Sequence, residues 1–264
     1  MEISDSRIDG GKAFDWGRTS EDYAKYRDIY PEIFYRKLAD RRIGIAGQRA
    51  LDIGTGTGVI PRNMYKYGAC WTGTDLSPEQ ISEAKRLAEK DGMKIDFRVV
   101  PTEELDFPKE TFDVITACQC YWYFDHKKVM PMLADFLKKD GKLVLLTMMW
   151  LPFEDEIARA SEELVLKYSP NWSGAGEKRH CLRVPEEAFS YFDLEDHEEY
   201  AVKVPFTRES WHGRMRACRG IGASLAEEEI GKWEQEHRIM LTQMAPEQFD
   251  VLHYAACAIL KKKS

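Results

Sequence analysis

Gly54, Gly56 and Gly58 alternate with Thr55 and Thr57 directly after the apolar run that carries Ala50, Leu51 and Ile53. A turn with so few Cβ atoms can swing through positive φ and let a ligand come close to main-chain atoms. Val59, Ile60 and Met64 follow at helical spacing, so this loop joins a buried strand to a helix. Asp75 closes the next apolar run, 23 residues after Asp52. A glycine-rich first turn with an acid about that far downstream is the plan of a nucleoside-binding α/β unit, in which the acid takes the ribose hydroxyls.

The spacing narrows the nucleoside. A dinucleotide fingerprint reads G-x-G-x-x-G, whereas this loop reads G-x-G-x-G with Asp52 two residues before its first glycine. A carboxylate there repels a pyrophosphate and attracts an ammonium or a sulfonium. S-adenosylmethionine carries both and has no phosphate. The stretch resembles motif I of the class I S-adenosylmethionine-dependent methyltransferases.

Each part of that ligand then has a candidate partner. Asp75 accepts from the ribose hydroxyls, since Ser77 already caps the helix that follows. Asp52, with Gly54, Thr55, Gly56 and the backbone near Cys118, attracts the ammonium directly or through water. Arg27, beside the aromatic face of Tyr23, offers a cation for the carboxylate. Leu76 covers one face of the adenine, and Thr102 and Glu103 meet its edge.

Two further stretches sharpen the resemblance. Tyr23-Ala-Lys-Tyr-Arg-Asp-Ile-Tyr-Pro31 is similar to the opening of the methyltransferase type 11 subgroup that includes the trans-aconitate methyltransferase-like enzymes of fungi. Phe112 to Asp125, with Gln119 and Tyr121-Trp122-Tyr123-Phe124, is similar to that subgroup's motif after the fourth strand. The likeness covers residues 20–150. It departs at Trp122, where the subgroup usually has a histidine base, and at Pro101, where many relatives have an aspartate that reaches adenine.

Methyl transfer from a sulfonium is an in-line displacement with a neutral leaving group, so alignment and exclusion of water carry it. Gln119 and Trp122 are the expected catalytic residues from this stretch, with Tyr121 and Tyr123 walling the acceptor. Arg208, Trp211, His212, Arg214, Arg216 and Arg219 crowd a later segment. Trp211, Arg216 and Arg219 are expected to form an anion pocket for the acceptor, with His212 as a candidate base. A surface cluster paired with acidic helices such as that of Glu227, Glu228 and Glu229 is the competing reading.

These expectations need a frame. Strands are expected at 50–53, 69–74, 94–100, 112–118 and 142–147, the last after a turn at Asp140-Gly141. A helix starts after Ser77, and Val129, Leu133, Phe136 and Leu137 mark another. Helices are also expected from Glu21 to about Tyr30 and over 32–40, 154–168, 185–192, 208–216 and 225–244, and strands over 197–206 and 249–260. This rhythm predicts an α/β fold: a doubly wound, seven-stranded, mostly parallel Rossmann-like sheet, with N-terminal helices and a helical lid before the last strand. The expected organisation is a single domain: a helical cap at 1–45, a cofactor-binding core at 46–150, substrate-side helices, sixth strand and lid at 151–248, and the last strand at 249–264.

A net charge of −7 over 264 residues argues against a general nucleic-acid binder. No apolar run reaches membrane-spanning length and no secretory signal is seen, so a cytoplasmic protein is expected. Six scattered cysteines read as buried, reduced thiols, and no metal site is expected. The expected activity is methyl transfer from S-adenosylmethionine, giving S-adenosylhomocysteine, to a small molecule, with a carboxylate as one acceptor. A hydroxylated quinone- or sterol-like acceptor, and a non-catalytic nucleoside-binding regulator, stay open. A monomer or homodimer is expected.

Overall fold

A computed structural model describes residues 3–263. Helices α1 (Ser20–Tyr26) and α2 (Glu32–Asp40) come first. Then β1 (Arg49–Ile53), α3 (Val59–Met64), β2 (Cys70–Asp75), α4 (Pro78–Lys90), β3 (Asp96–Val99), β4 (Phe112–Cys118), α5 (His126–Phe136) and β5 (Leu137–Trp150) build the alternation. After α6 (Glu156–Tyr168) come β6 (Phe192–Thr207), α7 (Arg208–Arg216), α8 (Glu227–Met244) and β7 (Gln248–Lys262).

The strands form one seven-stranded sheet in the order β3-β2-β1-β4-β5-β7-β6. Its β3-β2-β1-β4-β5 part is parallel. β7 runs antiparallel to β6: Lys263 N–H bonds the Tyr191 carbonyl at one end, and Arg208 N–H bonds the Glu247 carbonyl at the other. β1 and β4 are buried almost throughout, as apolar strands flanked on both sides must be. Ser77 accepts from Gln80 N–H at 3.3 Å and Pro78 opens α4. The stripe Ile81, Ala84 and Ala88 then packs on Phe97 of β3.

The chain divides into two compact units. One, here the sheet unit, comprises Tyr30–Met148, His180–Tyr200 and Ala255–Ser264. The second comprises Met1–Ile29, Met149–Arg179 and Ala201–Tyr254, so it takes α1 and α6 to α8. The expected cofactor-binding core, 46–150, lies in the sheet unit up to Met148.

Several local expectations are corrected. α1 stops at Tyr26, short of Tyr30; Pro31 disfavours helical geometry only at Tyr30. The Asp140-Gly141 turn is absorbed into β5, where pairing slips from Phe112 opposite Leu137 to Val114 opposite Lys142. Asp140 takes φ +64° there. Residues 185–192 give only a 3-10 turn, Glu186–Ser190, since β6 starts at Phe192. That edge strand is studded with acids, which discourages pairing with another chain. Glu198 bonds Lys37 at 2.5 Å, Asp196 bonds Arg41 at 2.7 Å and Glu195 bonds Lys142 at 2.6 Å. Of the six cysteines, Cys120 and Cys218 are buried but Cys70 and Cys181 are exposed.

Candidate functional site

The carboxyl ends of β2, β1 and β4 lie side by side, so Asp75, the glycine loop and Gln119 share one edge of the sheet unit. Gly54, Gly56 and Gly58 all have positive φ, at +60°, +56° and +73°. A Cβ on Gly54 would sit 2.8 Å from Cys120 Sγ, and one on Gly58 would sit 2.6 Å from the Phe97 ring. At Gly56 the nearest atom would be 3.6 Å away, so the space over that glycine is open.

Asp75 fastens this loop to its own strand. Its Oδ2 accepts from Gly56 N–H and its Oδ1 from Ser77 N–H, each at 2.9 Å. Leu76 N–H also bonds this carboxylate, and a carboxylate has about four acceptor positions, so part of its acceptor capacity is left for a ligand. Burial pushes its pKa above the usual carboxylate value, and the backbone N–H groups oppose that shift.

Asp52 does something other than expected. It is fully buried, and its oxygens accept from Thr116 Oγ1 at 2.5 Å and Thr55 Oγ1 at 2.6 Å. Burial raises its pKa to about 7. Its carboxylate braces β1, β4 and the loop, and its burial, not a lack of acceptor positions, is what argues against the direct half of its expected ammonium contact. Thr116 was not singled out in the sequence. Its place opposite Asp52 is set by the register of β1 against β4, which the sequence does not show.

After β4 the chain turns sharply. Gln119 has φ +56°, rare outside glycine and a mark of local strain. Its backbone N–H bonds Leu146 O at 2.9 Å and its side-chain amide donates to the Met148 carbonyl. Cys118 Sγ lies 3.4 Å from the hydroxyl of Tyr30, which the sequence reading left out of the site. Tyr121–Tyr123 form a single 3-10 turn, pinned by His126 Nε2 2.7 Å from Tyr121 O. Tyr121 is buried, while Trp122 is 39% exposed and meets it edge-on at 5.0 Å. Thr102 is buried, Leu76 and Tyr123 are half-buried, and Glu103 Oε1 accepts from Asp125 N–H at 3.1 Å. That last bond ties the loop after β3 to the loop after β4.

The remaining candidates belong to the second unit. Arg27 lies over the Tyr23 ring at 4.2 Å. Arg216 is held by Asp22 at 2.5 Å and by Glu234 at 2.7 Å, and Arg219 by Asp9 at 2.6 Å. Trp211 is fully buried and donates to Ser161 at 2.9 Å. Its place is in the core of that unit, which corrects its reading as a wall of an open pocket. His212 is likewise buried, with Nδ1 2.9 Å from Nδ1 of His237, and it stacks on Trp233. Burial lowers its pKa to about 4. Arg216 and Arg219 are thus paired with acids, but these are Asp22, Glu234 and Asp9 rather than Glu227, Glu228 and Glu229, while Arg214 lies buried over the Trp150 ring at 4.8 Å.

The family model described as a methyltransferase domain matches residues 51–145. The ubiquinone biosynthesis O-methyltransferase of Marinobacter nauticus is 31% identical over 175 residues, covering 65% of this chain and 71% of that protein. The chain belongs to the class I S-adenosylmethionine-dependent methyltransferases. The same-named protein of Actinobacillus pleuropneumoniae is 28% identical over 190 residues, covering 67% of this chain and 79% of that one. In fold, the methyltransferase resembles a putative methyltransferase of Bacillus halodurans, with a TM-score of 0.54 at 15% identity, covering 87% of this chain and 99% of that one. It also resembles phosphoethanolamine N-methyltransferase 2 of Haemonchus contortus, with a TM-score of 0.55 at 17% identity, covering 93% and 58%.

The methyltransferase uses S-adenosylmethionine, and its residues fit that cofactor. Gly54 and Gly58 let the loop pack on Cys120 and Phe97, Gly56 faces the least crowded space of the three, and the acid at the end of β2 lies beside it. Among the described residues, no group of three or more His, Cys, Asp or Glu side chains could hold a metal ion, and no helix is long and apolar enough to cross a membrane.

Proposed function

We propose that this methyltransferase acts on a small acceptor bearing a phenolic or enolic hydroxyl on a largely apolar body. Asp75 accepts from the ribose hydroxyls with the capacity that the N–H groups of Gly56, Leu76 and Ser77 leave. That bonding pattern is the observation on which the cofactor assignment rests. Leu76 covers the adenine, with Thr102 at its edge. Gly54 and Gly56 present main chain to the amino-acid end.

When bound, the cofactor supplies an electrophilic methyl group on a sulfonium. Gln119 and the Tyr121–Tyr123 turn then line up the acceptor oxygen and keep water away. Orientation of this kind can supply roughly 7–11 kcal/mol. Exposed Trp122 offers a flat wall to an apolar acceptor. None of Gln119, Tyr121, Trp122 and Tyr123 is a strong base near neutral pH. An acceptor hydroxyl that loses its proton easily suits such a site better than an aliphatic alcohol.

Two observations favour this class over a carboxylate. Arg216 and Arg219, the cations expected to bind an acid, are already neutralised by Asp22, Glu234 and Asp9. The curated relatives carry the name ubiquinone biosynthesis O-methyltransferase.

A methyl-release assay over catechols, hydroquinones, sterols and tricarboxylic acids tests the proposal. Turnover of the hydroquinones or catechols is expected. Turnover confined to the tricarboxylic acids would overturn the acceptor class. Cofactor binding with no turnover of any acceptor would point to a regulator instead.

A further inference from the structure

The sheet unit has a second concavity, at the end of the sheet opposite the glycine loop. Arg49, Cys70, Asp96 and Phe112 are the first residues of β1, β2, β3 and β4, four neighbouring strands. All four line a half-open cavity of about 530 Å³, with Tyr65, Trp71 and Lys94 among the others. Nothing in the methyl-transfer chemistry uses it.

Its chemistry is one-sided. Trp71 is 3% exposed, and its indole N–H has no hydrogen-bond partner. A buried donor left unmade costs on the order of 1–3 kcal/mol, so such a group calls for an explanation. Arg49 and Lys94 are exposed, and among the described residues neither side chain forms an ion pair. Arg49 is held over the Phe112 ring, 5.9 Å from its centroid. Tyr65 accepts from Lys94 N–H at 3.2 Å, which leaves its own hydroxyl proton to donate. The one acid in the lining, Asp96, is taken by Arg98 at 2.6 Å. Donors and positive charge therefore outnumber acceptors, and the walls between them are flat and aromatic.

We propose that this cavity is a binding site for a small aromatic carboxylate, separate from the cofactor site. The guanidinium of Arg49 matches a carboxylate in a forked pair. Lys94 adds a second charge, the Tyr65 hydroxyl can donate to an oxygen of the ligand, and the ligand's ring lies among Tyr65, Trp71 and Phe112, close enough to Trp71 for its indole resonance to report binding. The volume is within the range of small-molecule sites.

Naphthoate is the probe. In the isotope-labelled full chain, the Trp71 indole N–H resonance is identified by its loss in Trp71→Phe. Naphthoate is expected to shift that resonance with half-saturation at about 1 mM or below, and about tenfold more weakly in the Arg49→Ala/Lys94→Ala variant. S-adenosylmethionine affinity in that variant is expected to be unchanged, so failure here is distinct from failure of the cofactor site. An unmoved resonance at about 10 mM naphthoate, or an equal shift in the double variant, overturns the site. An equal shift with inorganic phosphate overturns the aromatic class. If Trp71→Phe does not fold, calorimetry of naphthoate into the wild type and the double variant, whose changed side chains are exposed, reads the same loss.

Discussion

The Asp52 carboxylate and the Thr116 hydroxyl lie 2.5 Å apart, on adjacent strands and in direct register. Thr55 occupies the other oxygen of Asp52 at 2.6 Å. The acid that opens the glycine motif thus holds the loop against two strands from within the core, and Asp75 is the half-buried acid at the loop's edge. Separating these two roles yields the first two predictions.

Asp52→Asn should change how stability depends on pH. Burial raises the Asp52 pKa to about 7 from 3.8. The unfolded chain therefore releases this proton at lower pH than the folded one. Stability from this group is complete below the unfolded value and is lost as pH rises through the folded one. Urea unfolding from pH 4 to pH 7 should show the wild type losing on the order of 1 kcal/mol per pH unit relative to the variant. Parallel curves would refute the assignment.

Asp75→Ala should weaken S-adenosylmethionine binding by more than about tenfold, or about 1.4 kcal/mol, measured by calorimetry. The loop loses its tie to β2 in the same variant. Asp75→Asn, which keeps an acceptor oxygen, should bind better than the alanine variant. Equal affinity in both variants and in the wild type would remove the ribose role.

Gly54→Ala should destabilise the protein by at least about 2 kcal/mol, from a left-handed backbone and an overpacked contact. The added methyl would lie 2.8 Å from both Cβ and Sγ of Cys120. In a Cys120→Gly background the contact is gone and the cost should shrink towards the backbone part, about 1–2 kcal/mol. Denaturant midpoints of the four proteins check this.

Trp122→Ala should leave stability within about 0.5 kcal/mol, as for exposed positions, because Trp122 is well exposed at the tip of its turn. Cofactor affinity should also hold. The KM for an aromatic acceptor should rise several-fold. An unchanged KM would take Trp122 out of the acceptor site.

The second unit should respond to acid in the opposite sense to Asp52. Burial holds His212 at about 4 and lowers His237 as well. The unfolded chain binds these protons first, so their stability is full above the ordinary value of 6.5 and is lost as pH falls towards 4. Hydrogen exchange in α7 and α8 should quicken between pH 6 and pH 4. His212→Gln should blunt that change.

The sequence by itself determined the sheet unit's alternation and the glycine loop. These are local matters: apolar runs of strand length, a Ser77-Pro78 helix start, and glycines that alone tolerate positive φ. What only the tertiary structure decided was which polar groups spend their bonding capacity on one another. Asp52 and Asp75 look alike as acids near strand ends, yet one is sealed in the core against two threonine hydroxyls and the other lies half-buried against the backbone N–H groups of the loop. Arg216 and Arg219 looked like an anion pocket until Asp22 and Asp9, about two hundred residues away in the chain, met them. A residue's type fixes how many hydrogen bonds and charges it can satisfy, but whether a neighbour or a ligand satisfies them depends on contacts between distant segments that no spacing encodes.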